Sequence, residues 1–491
     1  MELSGRQTRP RVVVRRAAVE GRYDAAQTTD DNLRHWAAAD SLSADAANSY
    51  GVRKRLRERA RYETTNNSTL LGIVDTYTWD VVGQHGPRLQ LLTPDVELNQ
   101  EVEREWLRYG AKVGLGRKLR LLSRARVVDG EGFALFTTNE RLKYPVKLDI
   151  RLLECDRFHS PRAMLDENNV DGVILDKDGN AIRYEVLDSH PEGVGYSAFQ
   201  SYHEYDSRWV LHWFVPFRPE QHRGVPSILA CLPLAAYQRR FTLAVLAAAE
   251  TAADLSALLY TDAPPAGEAA EVEPMDTVEI ERNVMVTVPA GWKMAQFQPQ
   301  QPASTYREFK RENTTDMGRP LAMPRNIAAG DSSDYNFASG RLDHGTYFRG
   351  IGVVQADMGE QVLDPVLAEW LPEARAEFGW VLEDEPDHEW LWQQREPIDP
   401  REANAETERL ASGATTHPAI YAARGQDWRA EFQKGAEALG VSLEEYQGLI
   451  RRKLFSGKGG EKRDEEGEAA SEARWQRQVD RELNEVGHGR I

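Results

Sequence analysis

The apolar and polar positions of this chain repeat with two periods, and the order of those periods outlines an α+β protein. Helical spacing comes first. It runs from Asp30 to Asn67, with Leu33, Trp36 and Ala37 on one spacing, and then from Ser68 to Trp79. A further amphipathic helix from Leu98 to Tyr109 is expected to turn Val102, Trp106 and Leu107 inward. Strand patterns follow over Gly132–Thr138, Val146–Glu154, Val173–Asp176, Ala181–Leu187 and Trp209–Phe217. Asp176-Lys177-Asp178-Gly179-Asn180 reads as a hairpin turn, because Asp, Gly and Asn tolerate the positive φ of tight turns.

The strand run ends abruptly at a turn stiffened by Pro216, Pro219 and Pro226. An alanine-rich pattern then predicts one helix from Pro226 to Tyr260, roughly 35 residues and so about 50 Å long. Its small side chains let neighbouring helices approach closely. Asp262 to Pro274 is a Pro/Ala/Glu-rich insertion, Val278 to Val288 alternates like a short strand pair, and Thr305 to Gly318 is a second, charged helix. The Gly, Ser and Asp content of Pro320 to Arg341 predicts a flexible loop. From Arg341 to Leu371 the residues Tyr347, Phe348, Ile351, Val354, Met358, Val362 and Val366 recur at helical spacing and mark a buried face. An acidic, proline-interrupted connector (Glu383 to Pro400) precedes helices over Glu402–Leu410 and Gln426–Leu439, and Ser456 to Ser471 is charged and glycine-rich.

At 491 residues the chain exceeds one core, so two to four structural units are expected. Its net charge of −17 argues against gripping nucleic acid over a broad basic face, since phosphate neutralisation needs clustered Lys and Arg. It leaves room for a protein that surrounds nucleic acid without gripping it. The longest apolar run, Phe241 to Ala249, is closed off by Arg239, Arg240, Glu250 and Asp254, so no membrane partner is expected. Arg6, Arg9, Arg11, Arg15, Arg16 and Arg22 lie in an N-terminal stretch with few core formers, read as a basic arm and not as a secretory signal. Cys155 and Cys231 have no metal-type spacing and read as buried thiols. The basic run from Arg53 to Arg61 reads as the solvated face of an amphipathic helix.

Catalytic patterns give no positive case. A phosphate-cradling Gly-x-x-x-x-Gly-Lys-Ser/Thr, a His-Glu-x-x-His and a Gly-x-Ser-x-Gly are absent from the sequence. His212, His222 and His344 read as hydrogen-bonding structural histidines, and Glu383, Asp384, Glu385, Asp387 and Glu389 as a solvated linker. The expectation is therefore a non-enzyme without cofactor or metal.

One joint carries more information than the rest. Val210-Leu211-His212-Trp213-Phe214 running through Arg218-Pro219, Gln221 and Arg223-Gly224-Val225-Pro226 closely resembles the strand–turn–helix joint of lambda-type phage portal proteins. Further blocks follow the family's order. They are Leu56 to Asn67 with Val81-Val82-Gly83, then Asp171 to Val186, Pro320 to Arg341, and Asp427 to Val441. The resemblance covers roughly residues 30–440. In the block from Pro320 to Arg341, Phe337-Ala338-Ser339-Gly340 stands where the family has Tyr-Ser-Ser-Ala, and Arg325-Asn326-Ile327-Ala328 is more polar.

The resemblance implies a portal fold with an α/β wing, long-helix stem, small α/β clip and helical crown, assembling as a ring of twelve at one capsid vertex. The divisions it implies are a basic arm (1–29), wing (30–222), descending stem helix (223–260), clip (261–302) and ascending stem helix (303–319). A channel loop (320–340), a return helix and connector (341–400), a crown (401–455) and a charged tail (456–491) follow. Implied partners are other copies of the chain, double-stranded DNA, the major capsid protein, the large terminase and a head–tail adaptor. The implied location is the virion, with assembly in the host cytoplasm. The implied joint residues are Arg218, Pro219, Gln221, Arg223, Gly224 and Pro226. Those near DNA would be Arg307, Lys310, Arg311, Arg325, Asp331, Ser332, Ser333, Asp334, Tyr335 and Asn336. Twelve copies would carry on the order of −200 charges, so contact with DNA should be weak and confined to isolated basic rings. The rival reading is another ring-forming head–tail adaptor or minor capsid protein.

Overall fold

The computed structural model describes residues 29–455 apart from 31, 161–167, 194–200, 255–257, 262–291, 296–305, 334, 394–399 and 425. The basic arm, most of the expected clip with its 278–288 strand pair, and the charged tail lie outside the described residues.

The chain opens with α1 (Ala44–Ala47), α2 (Tyr50–Asn66) and α3 (Ser68–Val82). Residues 32–38, expected to be helical, form turns in which Leu33 and Trp36 are exposed. Asn67 separates α2 from α3 because its side chain accepts from the amides of Thr69 and Leu70, satisfying donors that a helix start leaves open. A short strand β1 (Arg88–Leu91) leads to α4 (Val96–Val113), capped by Asp95 and ended by Gly114 in the left-handed region. On α4, Val102, Trp106, Tyr109 and Val113 are buried at three- and four-residue intervals. That stripe corrects the expectation for Leu107, which lies about 100° round from Trp106 and is 53 % exposed. A helix the spacing did not suggest, α5 (Leu115–Val128), runs on from Gly114.

Strands β2 (Glu131–Thr138), β3 (Leu148–Leu153), β4 (Asn169–Val170), β5 (Val173–Leu175), β6 (Ala181–Leu187), β7 (Tyr202–Asp206) and β8 (Val210–Phe214) build two antiparallel sheets. Their orders are β3-β2-β8 and β4-β5-β6-β7. Strand β8 stops at Phe214, three residues before its expected end. The turn between β5 and β6 falls where expected: Asp176 accepts from the amides of Asp178 and Asn180, and Gly179 sits at φ 86°.

The long helix is shorter than its alanine pattern suggests. The amide of Ser227 donates to Val127 O, and Leu229–Cys231 form a 3-10 turn. α6 then spans Leu232–Asp254, 23 residues or about 35 Å. Leu258 to Tyr260 are not helical: β9 (Leu258–Thr261) pairs antiparallel with β10 (Trp292–Ala295). Backbone pairing decides the state of this short segment.

α7 (Tyr306–Gly318) runs antiparallel to α6, with Gln238 reaching Thr314 and Tyr306 reaching Thr242. The expected flexible loop is largely ordered. α8 (Arg325–Ala329) lies inside it, and α9 (Phe337–Met358) starts within it, capped by Asn336. A π-helical turn over Gly359–Leu363 joins α9 to α10 (Asp364–Phe378), where Pro365 lacks the N–H that would continue the ladder. The acidic connector is not wholly a solvated linker: β11 (His388–Leu391) pairs with β1. The described residues end in α11 (Pro400–Ala411), α12 (His417–Ala423), α13 (Trp428–Leu439) and α14 (Leu443–Phe455), of which α12 and α14 were not anticipated.

The main core joins α3, α4, α5, β2, β8, α9 and α10, while a smaller one lies between β2 and the four-stranded sheet around Phe133, Phe158 and Tyr184. Trp213 fastens β8 to the later helices. It is fully buried, donates to Asp357 at 2.7 Å and lies under Arg126. Both cysteines are buried free thiols.

Candidate functional site

Two places gather the residues that the sequence singles out. The first is the joint between β8 and α6. Its exposed arm is a turn in which Gln221 accepts from the amides of Phe217 (2.8 Å) and Arg218 (3.3 Å). Arg218 donates to Leu42 O at 3.0 Å, Pro219 is exposed and Glu220 adopts φ 60°. His222 grips Asp45 through both its amide (3.0 Å) and Nδ1 (2.7 Å). The inner arm is buried. Arg223 donates to Glu131 at 2.6 and 3.0 Å and to Phe158 O at 3.0 Å, and also to Asp171 O. Gly224 N donates to the same Glu131 at 2.9 Å, and Pro226 is buried just beyond.

Beneath this arm lies an ionic network that contradicts the solvated reading of Arg53 to Arg61. Arg53 and Arg57 are 1 % and 2 % exposed. Arg57 donates to Glu131 (2.8 Å) and Asp156 (3.1 Å), while Arg61 reaches Asp129 (2.6 Å) and Asp156 (2.5 Å). Arg53 pairs with Asp171, which His159 also meets. Positions 53, 57 and 61 share one helix face at i, i+4 and i+8, while Arg55 and Arg59 between them are exposed. That spacing, with Glu131 heading an apolar strand, was the signal available in the sequence.

The electrostatics follow from burial against pairing. Burial alone would raise the carboxyl of Glu131, but the Arg223 charge, the hydrogen bonds of His212 and Arg223, and Arg57 hold it well below the usual range. Burial likewise works against Asp171, yet His159, Arg223 and Arg53 bring it down to about 2. Burial, reinforced by the neighbouring Arg223, lowers Arg53 to about 10. His212, whose Nε2 lies 3.1 Å from Glu131, is pushed down by burial. His344 lies 2.8 Å from Asn326, so each of these histidines has a hydrogen-bonding partner. Glu154, Asp156 and His190 place ligand-type atoms within 4.8 Å of one another, but Asp156 faces Arg57 and Arg61, so cationic side chains already serve it.

The second place is a cleft of about 540 Å³ between α3, α7 and α8. Arg307, Lys310 and Arg311 line it from α7, Ser68 and Thr69 from the start of α3, and Asp331 from the turn after α8. Spacings of three and four put the cations on one helix face. Asp331 accepts from the side chain of Ser333 and from its amide at 2.9 Å; those two bonds, ahead of the charges of Arg307 and Arg311, hold its carboxyl below the usual range. The structure does not gather every expected residue here. Arg325 stacks over Tyr335, 5.2 Å from its ring centre, Ser332 O accepts from Tyr335 N, and Asn336 caps α9. Asp334 lies outside the described residues.

Residues 29–355 match the model of the family described as phage portal protein, lambda family, a span holding both the joint and the cleft. No curated protein sequence matches. The chain is similar to one in the virion of a native gene transfer agent particle, at 14 % identity over 73 % of this chain and 88 % of that one, with a TM-score of 0.41. It is also similar to one in the neck of an empty gene transfer agent particle computed with C6 symmetry, at 14 % identity over 71 % and 86 %, with a TM-score of 0.38. The family match covers more than half of the sequence, so the chain belongs to the lambda family of phage portal proteins.

Proposed function

We propose that this chain is the subunit of a ring of twelve that forms the DNA channel at one capsid vertex. The ring would admit double-stranded DNA from the large terminase during packaging, contact the major capsid protein around its rim, and later hold a head–tail adaptor and release the genome. The observation that carries this reading is the family match over residues 29–355. In this reading residues 30–222 are the wing, the antiparallel α6 and α7 are the stem, and the channel loop extends from 320 into the start of α9. The clip would begin with β9, at Leu258 rather than residue 261, and α11 to α14 would form the crown. The ionic joint would keep wing and stem at a constant angle, because its buried charges pair in only one arrangement. The role is structural and needs no cofactor.

Negative-stain electron microscopy of the purified protein, with light-scattering mass, tests the reading. Rings with a central hole and a mass near twelve subunits are expected. A defined oligomer without a hole would overturn it.

A further inference from the structure

The cleft between α3, α7 and α8 pairs three cations with a carboxylate that the structure leaves facing them. Arg307, Lys310 and Arg311 project from one face of α7, and Ser68 and Thr69 add hydroxyl donors from the first turn of α3. About 540 Å³ of space between them is ample for a tetrahedral phosphate. Asp331 lies on the same lining, fixed by the side chain and the amide of Ser333 on its own turn. An exposed carboxylate beside several cations lowers their attraction for any other anion.

We propose that this cleft seats one backbone phosphate of double-stranded nucleic acid, and that Asp331 acts as a resident competitor that keeps the contact weak. The inference rests on the channel reading and adds to it a reason why a basic cluster need not stall a moving duplex. The seat attracts phosphate by charge and hydroxyl donors. Asp331 offsets part of that attraction, so dwell at each phosphate is short. The competitor sits on the turn after α8, whereas two of the attracting elements are long helices, so seat and competitor are carried by separate segments.

The test is a charge cycle on the full chain. Binding of a fluorescent 30-base-pair duplex, and of inorganic phosphate by phosphorus NMR line broadening, is measured for wild type, Asp331→Asn, Arg307→Gln/Arg311→Gln and the triple variant. Asp316→Asn, an exposed change of equal charge on α7 outside the cleft lining, is the control. Asp331→Asn is expected to tighten both ligands about threefold, with the control near wild type and the effect lost in the arginine-depleted background. Equal gains from Asp331→Asn and Asp316→Asn would reduce the effect to net charge and overturn the proposal. So would an unchanged Asp331→Asn, or a gain in self-association without a gain in duplex binding, which would assign the cleft to an acidic segment of a second copy. Rings with a silent Asp331→Asn would sink the competitor and leave the portal reading standing. A defined non-ring oligomer with the full cycle intact would do the reverse.

Discussion

Gly130 and Gly224 cross backbone to backbone. A Cβ built on Gly224 would lie 2.2 Å from the carbonyl oxygen of Gly130, and one built on Gly130 would lie 2.3 Å from the carbonyl carbon of Val225. The crossing lets the turn before β2 pass over the chain leaving β8, so that Glu131 faces both Arg223 and the amide of Gly224.

Gly224→Ala is therefore expected to destabilise the protein by about 2–4 kcal/mol, because the backbone of Gly130 and the Cβ of Glu131 already occupy the space of the methyl group. Gly130→Ala adds a positive φ of 96° to the clash and should be at least as damaging. Thermal unfolding followed by circular dichroism checks both. An unchanged midpoint for Gly224→Ala would mean the two segments are farther apart than described.

Glu131→Gln keeps the shape of the side chain but removes its charge, leaving Arg57 and Arg223 beside a neutral amide in a buried site. Unpaired buried charges of this kind cost about 3–5 kcal/mol. The exposed pair Arg183–Glu204 gives the contrast, since Glu204→Gln should change stability by less than about 1 kcal/mol. Similar losses for the two variants, measured by urea titration, would remove the special status of the joint.

Asp171 supplies a pH signature. Its folded carboxyl is brought down to about 2 from the ordinary 3.8, so the folded state holds fewer protons than the unfolded one in that window. Its contribution of about 2 kcal/mol is complete above pH 4 and lost as pH falls toward 2. The stability gap between wild type and Asp171→Asn should accordingly stay constant above pH 4 and narrow below it. A gap that stayed constant down to pH 2 would contradict the pairing with His159, Arg223 and Arg53.

Glu103 is expected to behave in the opposite sense. Burial pushes its carboxyl up to about 7, against the hydrogen bond from Leu91 N, with Asp427 adding to the rise and Arg429 opposing it. A raised folded value means stability that is fully present below pH 4.5 and lost as pH climbs through 7. Glu103→Gln should match wild type at pH 4.5 and exceed it at pH 8. Equal melting temperatures at both values would argue that Glu103 is solvated.

Much of the architecture is legible in the sequence because it is local. Strand-forming runs located β2 and β6, the three-and-four spacing located the buried stripes of α4 and α9, and the Asp-Gly-Asn turn located the bend between β5 and β6. Family membership was legible as well, since the joint and the blocks from Leu56 to Arg341 lie within residues 29–355 that the family model matches, whereas Asp427 to Val441 lies beyond them. The errors have a common physical origin. Leu258 to Tyr260 carry no local signal that separates helix from strand, and only pairing with Trp292–Ala295 decides the matter. The same holds for His388–Leu391, which become a strand by meeting Arg88–Leu91 nearly three hundred positions away.

The candidate site divides in the same way. Sequence by itself determined which residues carry charge and where Arg307, Lys310 and Arg311 share a helix face. Only the tertiary structure decided that Arg53 and Arg57 are buried, because a helix face that looks solvated becomes interior once Glu131, Asp156 and Asp171 are carried to it from distant segments. Only the fold set Asp331 beside the cations of α7, on the far side of a turn that composition alone portrayed as loose. Periodicity records which face of an element is apolar, whereas the value of a charge depends on what lies opposite it, and that is a property of the folded chain.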